Sequence, residues 1–335
     1  MDARAVVFTA PKQAEVQSLS AAEPGAGEAL VAANLTLMSM GTEIICYKGE
    51  SDPGTHWHGW VRYPFYPGYS SVGRIVQLGE GAEGFSVGDR VFHTMGHRGL
   101  YTTRVDSGTF LRIPDAVSDE DAVWAKLATI AQTGVRQTEH HMGDAAVVIG
   151  LGPVGQLSVQ YLRVLGLKEI LAIDMNEARL EAALAHGATA AFHGRSGDAE
   201  PFVRGHTGGE LADAVYDVTG FADVFPTALK LARRFGTVVV QGDCPHPSRQ
   251  HLTHDVLTRQ LRVFGSHNEN LPPKHARWSF RRQAELFYTY VERGQMRLRD
   301  LITRCFSPDE AQEAYASLTQ ERGGAVGAAF EWRAE

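Results

Sequence analysis

The chain has 335 residues, of which 44% are hydrophobic and 21% charged, with a formal net charge of −7. That length exceeds what a single core usually holds, so two domains are expected, and an acidic balance with no stripe of Lys or Arg argues against a nucleic-acid partner. No stretch approaches a membrane span, the first residues lack a signal-peptide core, and Cys46, Cys244 and Cys305 are too few and too scattered for a disulfide framework; a cytoplasmic protein with no membrane partner is the expectation.

Along the chain, residues 5–9, 29–36 and 72–78 are short β-rich runs. Between them stand Glu23-Pro24-Gly25-Ala26-Gly27-Glu28 and Gly79-Glu80-Gly81-Ala82-Glu83-Gly84, which carry turn chemistry. Gly88-Asp89-Arg90-Val91-Phe92 reads as a hairpin turn entering another strand. From Ala145 the pattern changes to alternating strand and helix. A buried run at 145–149 ends at Gly150-Leu151-Gly152-Pro153-Val154-Gly155, and a helix over 156–165 ends at Gly166. A second buried run at 170–173 ends at Asp174. A helix follows over Glu177–His186, then strands at 214–218 and 236–241, ending at Thr219-Gly220 and Gly242, with a sixth at 262–265 before Ser266. This succession predicts an α/β fold built on a doubly wound parallel sheet. Pro272-Pro273 leads to an amphipathic helix over 276–292. Ser307-Pro308-Asp309-Glu310 has the form of a capping box, and a closing strand at 325–332 is expected to return to the N-terminal β domain.

The glycine-rich turn is the most informative feature. A strand that stops at such a turn and restarts as a helix aims backbone N–H groups and a helix N-terminus at one point, a geometry suited to a pyrophosphate. Asp174 lies nineteen positions beyond Gly155, near the roughly 20 expected of an acid that accepts the ribose hydroxyls. A carboxylate there repels a 2′-phosphate, so NAD(H) is favoured over NADP(H). Arg179 stacks on adenine or reaches a phosphate, which leaves dual use open. The pyrophosphate contacts are expected from Gly150, Gly152, Pro153, Val154 and Gly155, the adenosine contacts from Asp174 and Arg179. Thr219, Gly220, Gly242 and Ser266, at strand ends, are expected around the nicotinamide half.

The order and spacing of Met40-Gly41-Thr42-Glu43, Pro67-Gly68-Tyr69-Ser70, Val87-Gly88-Asp89-Arg90-Val91, the Gly150–Gly155 turn with Asp174, and the helix start at Ser307 resemble the medium-chain dehydrogenase/reductase family over nearly the whole chain. The resemblance implies a GroES-like β domain interrupted by a Rossmann domain. The boundaries are expected at 1–127 for the first part of the GroES-like domain, 128–266 for the Rossmann domain and 267–335 for the return. It implies a substrate cleft between them and a homodimer.

The departures from the family pattern bear on the chemistry. Zinc members carry Cys-Gly-Thr/Ser-Asp where this chain has Met40-Gly41-Thr42-Glu43, and Gly-His-Glu where it has Gly68-Tyr69-Ser70. Their third ligand falls about two dozen residues before the first fingerprint glycine, which here is Lys126. Catalytic zinc takes thiolate, imidazole or carboxylate ligands; a thioether, a phenol and an amine do not supply them, and the four-cysteine structural lobe is missing. The expectation is a zinc-free member, nearest in pattern to the bacteriochlorophyllide dehydrogenase-type branch, with no metal site. Lys126 or Tyr69 is then expected to stabilise the developing alkoxide, with Thr42 as the relay hydroxyl.

Met40, Trp57, His58, Trp60 and His93 are candidate substrate contacts. The run Thr55-His56-Trp57-His58-Gly59-Trp60 forms either a lid for a ring-shaped or polar small-molecule substrate or a loop held by aromatic packing. His56 and His58 have chelating spacing but no evident third ligand.

Three functions compete on the sequence. The first is a zinc-independent, NAD(H)-dependent alcohol dehydrogenase or ketone reductase acting on a small to medium, cyclic or open-chain substrate. The second is an enoyl reductase, with Tyr69 as proton donor. The third is a catalytically silent cofactor-binding protein.

Overall fold

The computed structural model describes residues 2–320 and 325–332. The chain divides into two compact units. The first comprises Met1–Gly49, Gly59–Lys126 and Trp278–Glu335; the second comprises Glu50–His58 and Leu127–Arg277. Among the described residues no helix is long and apolar enough to cross a membrane.

The second unit is an open sheet of six parallel strands, Ala145–Ile149, Glu169–Asp174, Ala190–His193, Ala212–Asp217, Ala232–Val240 and Arg262–Gly265. Numbered along the chain, they stand in the order 3-2-1-4-5-6, the arrangement of dinucleotide-binding doubly wound folds. The order reverses between the first and fourth strands, which pair Ala146 with Ala214 and Ile149 with Asp217. All five residues of the first strand are buried. A strand covered on both faces needs an unbroken apolar run rather than an alternating one, which is what Ala145-Ala146-Val147-Val148-Ile149 provides. Val147 and Ile149 pack with Leu171, Ile173, Val215, Phe225, Leu229 and Val238, each such side chain stabilising the fold by about 1.5–3 kcal/mol relative to exposure.

The helix Pro153–Leu165 starts from an extended Gly152 with Pro153 in its first turn and stops at Gly166 in the left-handed conformation. The helix Glu177–His186 starts where the Asn176 side chain accepts the Arg179 N–H, satisfying one of the orphan donors of the first turn.

The first unit is mostly antiparallel. Strands Glu28–Leu37, Ser71–Leu78, Arg90–His93 and Leu111–Arg112 pair in that order, and Leu100–Arg104 adds to Glu28–Leu37. The closing strand Gly327–Glu331 returns to this sheet antiparallel to Glu28–Leu37, and Ile302–Phe306 pairs parallel to it at the edge. Asp2–Ala10 and Gln13–Ser20 form a separate hairpin. At 307–310 the Ser307 and Glu310 side chains cap each other's backbone N–H groups as a capping box and lead into the helix Ala311–Gln320.

Several elements differ from the sequence expectation. The helix expected from residue 276 begins at Phe280, capped by Ser279, because Pro273–His275 first makes a 3-10 turn. The run at 55–60 contains a short helix, His56–Trp60. The strands Gln13–Ser20, Ala190–His193 and Ile302–Phe306, and the helix Ala125–Thr138, have no counterpart in that reading.

Candidate active site

The glycine turn of the second unit divides its labour by position. Gly150 has φ +91°, and a Cβ there would lie 2.7 Å from the Thr219 methyl. A Cβ on Gly155 would fall 2.0 Å from the Gly150 carbonyl oxygen, so only glycine lets the helix approach the strand this closely. Around Gly152, by contrast, a Cβ would meet nothing within 4 Å. These are a tight turn, a close helix–strand contact and an open approach to the backbone, the three uses of glycine in a pyrophosphate cradle.

Asp174 ends the second strand with its carboxylate anchored. One oxygen accepts the Leu151 N–H at 2.7 Å and the other the Asn176 N–H at 2.9 Å. Each carboxylate oxygen has two lone-pair sites, so both retain capacity for ribose hydroxyls. Arg179 sits in the first turn of the following helix, where its carbonyl accepts from the Gln156 side chain. Burial lowers the pKa of its guanidinium, with Asp174 pulling it back up.

At the carboxyl ends of the fourth, fifth and sixth strands, the turns carrying Thr219-Gly220 and Gly242 press on one another. A Cβ on Gly242 would lie 2.2 Å from the Gly220 nitrogen. The Ser266 hydroxyl is buried with no protein partner, as a group awaiting a ligand donor or acceptor would be. The sequence reading overlooked Asp217, which ends the fourth strand 1% exposed. Its carboxylate accepts the Thr219 hydroxyl at 2.7 Å and the Thr219 N–H at 3.0 Å. Burial pushes this carboxyl up to about 6 against the pull of those two donors.

In the first unit, Thr42 lies in the helix Met40–Lys48. The Tyr69 hydroxyl donates to the Ser39 hydroxyl, and the Thr42 hydroxyl lies 3.3 Å from it. Burial pushes the Tyr69 phenol up to about 12, with the Ser39 and Thr42 hydroxyls opposing. Glu43, one helical position on, is buried. It accepts the Ser39 N–H at 2.7 Å on one oxygen; on the other it meets His97 Nε2 at 3.0 Å and the Tyr315 hydroxyl at 2.5 Å. His97 Nδ1 lies 2.8 Å from the Thr36 hydroxyl, to which the Trp332 indole N–H also donates at 2.9 Å. Met40 is buried at the start of the same helix. Lys126 is buried with its ammonium 5.6 Å from the centre of the Phe280 ring.

The remaining candidates separate. His93 lies inside the first unit, 7% exposed, its ring stacked on Tyr101 and edge-on to Phe110. Burial lowers it to about 4, so the imidazole is neutral near pH 7. Trp60 is exposed and packs edge-on to Phe65. Trp57 is buried and donates its indole N–H to Asp243 at 3.1 Å, and His58 follows in the same short helix. Among the described residues, no group of three or more His, Cys, Asp or Glu side chains is placed to hold a metal ion. Ser39, Glu43, His97, Asp217 and Asp243 went unmarked as site residues. Asp217 and Asp243 were nevertheless accessible to the strand-end rule that selected Thr219 and Gly242.

Comparison with known families resolves the broad class. Residues 25–111 match the alcohol dehydrogenase GroES-like domain and residues 153–280 the zinc-binding dehydrogenase domain. The chain belongs to the medium-chain zinc-binding dehydrogenase family. D-guloside 3-dehydrogenase of Escherichia coli K12 is one similar protein. It is 25% identical over 338 aligned residues that cover 94% of this chain and 96% of that one. Two solved structures share the medium-chain fold along almost their full length. A Sinorhizobium meliloti dehydrogenase bound to NADP superposes with a TM-score of 0.80 at 20% identity, covering 99% of each chain. The short chain alcohol dehydrogenase of Escherichia coli CFT073 complexed with NADH does so with 0.79 at 21% identity, covering 98% and 99%.

Proposed function

We propose that this protein is a zinc-independent, NAD(H)-dependent dehydrogenase that moves hydride between nicotinamide and a secondary alcohol or its ketone. We assign it to the zinc-free members of the family, nearest in motif pattern to the bacteriochlorophyllide dehydrogenase-type branch. The substrate class we favour is a small to medium polyhydroxy compound, in keeping with the sugar-derived substrate in the name of the D-guloside relative.

What supports the reading is the set of side chains that the family's motif spacing assigns to its metal ligands. Met40 offers a thioether, Tyr69 a phenol held up near 12, and Lys126 an amine; Glu43, the nearby carboxylate, is committed to Ser39, His97 and Tyr315. These groups do not fit zinc, which takes thiolate, imidazole or carboxylate. They do fit hydrogen-bond donation to an oxygen that gains negative charge. A phenol kept protonated across the physiological range donates without first having to lose its proton. Its contact with Thr42 provides the start of a hydroxyl relay, and Lys126 is the second candidate donor.

The dinucleotide half is supported separately. The Gly150, Gly152 and Gly155 geometry suits a pyrophosphate, and the anchored Asp174 suits the 2′- and 3′-hydroxyls of an unphosphorylated ribose. Bound nicotinamide supplies or accepts the hydride.

Oxidation of NADH and NADPH, and the reverse reaction, should be followed against ketones, enones and secondary alcohols with and without a chelator. Turnover of alcohols and ketones with NAD(H), insensitive to chelator, is the expected result. Chelator-sensitive turnover overturns zinc independence, and turnover confined to enones replaces the alcohol reading with the enoyl-reductase one. Cofactor binding without turnover of any class favours a silent protein.

A further inference from the structure

Asp217 stands where the strand order of the second unit reverses. It closes the fourth strand, paired with Ile149 of the first, and Ile149 is the last residue before the glycine turn. Val218, the next residue, still donates its N–H to the Ile149 carbonyl at 3.0 Å. Thr219 then lies so close to the turn that a Cβ on Gly150 would meet its methyl at 2.7 Å. Neighbouring strands run about 4.8 Å apart, so Asp217 is one strand spacing from the residue that leads into the turn suited to a pyrophosphate. In an open parallel sheet the crevice at such a reversal is where ligands bind.

The carboxyl is held in place and only half used. The Asp217 carbonyl accepts the N–H groups of Gln241 and Gly242, both at 2.9 Å, which ties its backbone to the fifth strand. Its Oδ1 takes both the hydroxyl and the N–H of Thr219. Its Oδ2 makes no hydrogen bond to any described residue, although the residue is buried and buried polar atoms nearly always have a partner. An ionised Oδ2 only accepts, whereas a protonated one donates. Burial already favours the protonated form and pushes the carboxyl up to about 6. A pyrophosphate dianion at the neighbouring turn disfavours the ionised form further, because like charges repel.

We propose that Asp217 is a cofactor-binding residue that acts as the neutral acid: its carboxyl takes up a proton when NAD(H) binds, and the O–H so formed donates to an oxygen of the dinucleotide. The assignment rests on the dinucleotide reading above and adds to it a residue outside the glycine turn. The balance is one proton, given up by water or buffer and gained by Oδ2, with no other bond changed. Cofactor is therefore held more tightly in mild acid than in mild alkali. Other titratable groups reach this region from each packed element. Asp213 lies near the start of the same strand, and the first strand brings none until Asp174 bonds the Leu151 N–H of its turn. The fifth strand leads to Asp243 and Cys244, whose thiol is pushed up by burial and then by the Asp217, Asp243 and Asp52 charges. The helix Phe225–Leu231, which packs on the fourth strand, follows Asp223 and carries Lys230 in its last turn.

Calorimetric titration of the full chain with NADH, in buffers of different ionisation enthalpy, measures the protons exchanged. At pH 7 a carboxyl titrating near 6 is about one-tenth protonated, so uptake of at least about half a proton per NADH is expected. NADH affinity should fall about tenfold from pH 6 to pH 8. ADP-ribose, which keeps the pyrophosphate and lacks nicotinamide, should show the same uptake. Asp217→Asn places an amide donor where the acid stood. Its uptake should vanish, and its NADH affinity should be level across that range and exceed that of wild type at pH 8. In wild type alone, a protonated-carboxyl band should appear in the infrared difference spectrum on adding NADH. Absence of that band, proton release or no exchange on binding, uptake with NADH but not ADP-ribose, or uptake that persists in Asp217→Asn overturns the proposal and leaves the dinucleotide reading standing. A wild-type protein that binds neither NADH nor ADP-ribose overturns both.

Discussion

The backbone N–H of Leu151, inside the glycine turn, donates to the Asp174 carboxylate at 2.7 Å. This bond ties the glycine turn, proposed above as the pyrophosphate cradle, to the carboxylate proposed as the ribose acceptor, so a single geometry sets both. Asp174→Ala removes the ribose acceptor and strips the Leu151 N–H of its partner. Loss of a hydrogen bond to a charged group costs about 1.5–3 kcal/mol. NADH affinity is therefore expected to fall at least about tenfold, with NADPH affected less. Fluorescence titration with both cofactors reads this directly, and an unchanged preference would count against Asp174 as the ribose reader.

Tyr69→Phe keeps the ring and removes the donor from the Ser39 and Thr42 cluster. If the phenol stabilises the developing alkoxide, kcat should fall about 10²-fold, as for removal of one oxyanion donor, with NADH affinity unchanged. Lys126→Met tests the second donor in the same assay. Near-native turnover in both variants would remove both side chains from the mechanism.

Asp217 is buried at the switch-point end of the fourth strand, and its carboxyl is pushed up from 3.8 to about 6. Because the folded value lies above the unfolded one, its favourable contribution is complete below about 3.8 and is lost as the pH rises through about 6. The penalty above that range is on the order of 3 kcal/mol. Asp217→Asn, which can still accept from Thr219, is thus expected to unfold at higher denaturant than wild type at pH 8, with no gain at pH 4. Equal gains at the two pH values would show that ionisation is not the cause.

His93 gives the opposite slope. Burial against Tyr101 and Phe110 lowers its pKa from 6.5 to about 4. A depressed folded value means stability that is present above 6.5 and lost as the pH falls through 4, again on the order of 3 kcal/mol. His93→Phe should flatten the decline in thermal midpoint between pH 6.5 and 4. A decline as steep as that of wild type would assign the acid sensitivity elsewhere.

Much of the second unit was legible in the sequence because each element carries its own local cause. The first strand is buried on both faces and reads as an unbroken apolar run; Gly150 and Gly155 occupy positions where a Cβ has no room; Asn176 caps its helix from the adjacent position. The strand Ala190–His193 was missed because it is an edge strand of four half-buried and exposed residues, with no periodicity to detect. The sites read less well for a similar reason. Tyr69 and Thr42 are 27 positions apart, and His56 and Asp243 are separated by 187. Their pairing is a product of tertiary contact, and no spacing rule encodes it. His93 shows the converse. A histidine after a turn looks available in sequence, whereas its place on the strand Arg90–His93 turns the ring inward.

The detour of Glu50–His58 through the second unit limits how this protein can be recombined. A Rossmann domain excised as 127–277 would leave Asp243 and His246 facing water where His56, Trp57 and Asp52 now stand. A chimera that swaps the second unit must carry these nine residues with the graft, or lose the contacts that cover the carboxyl end of the fifth strand.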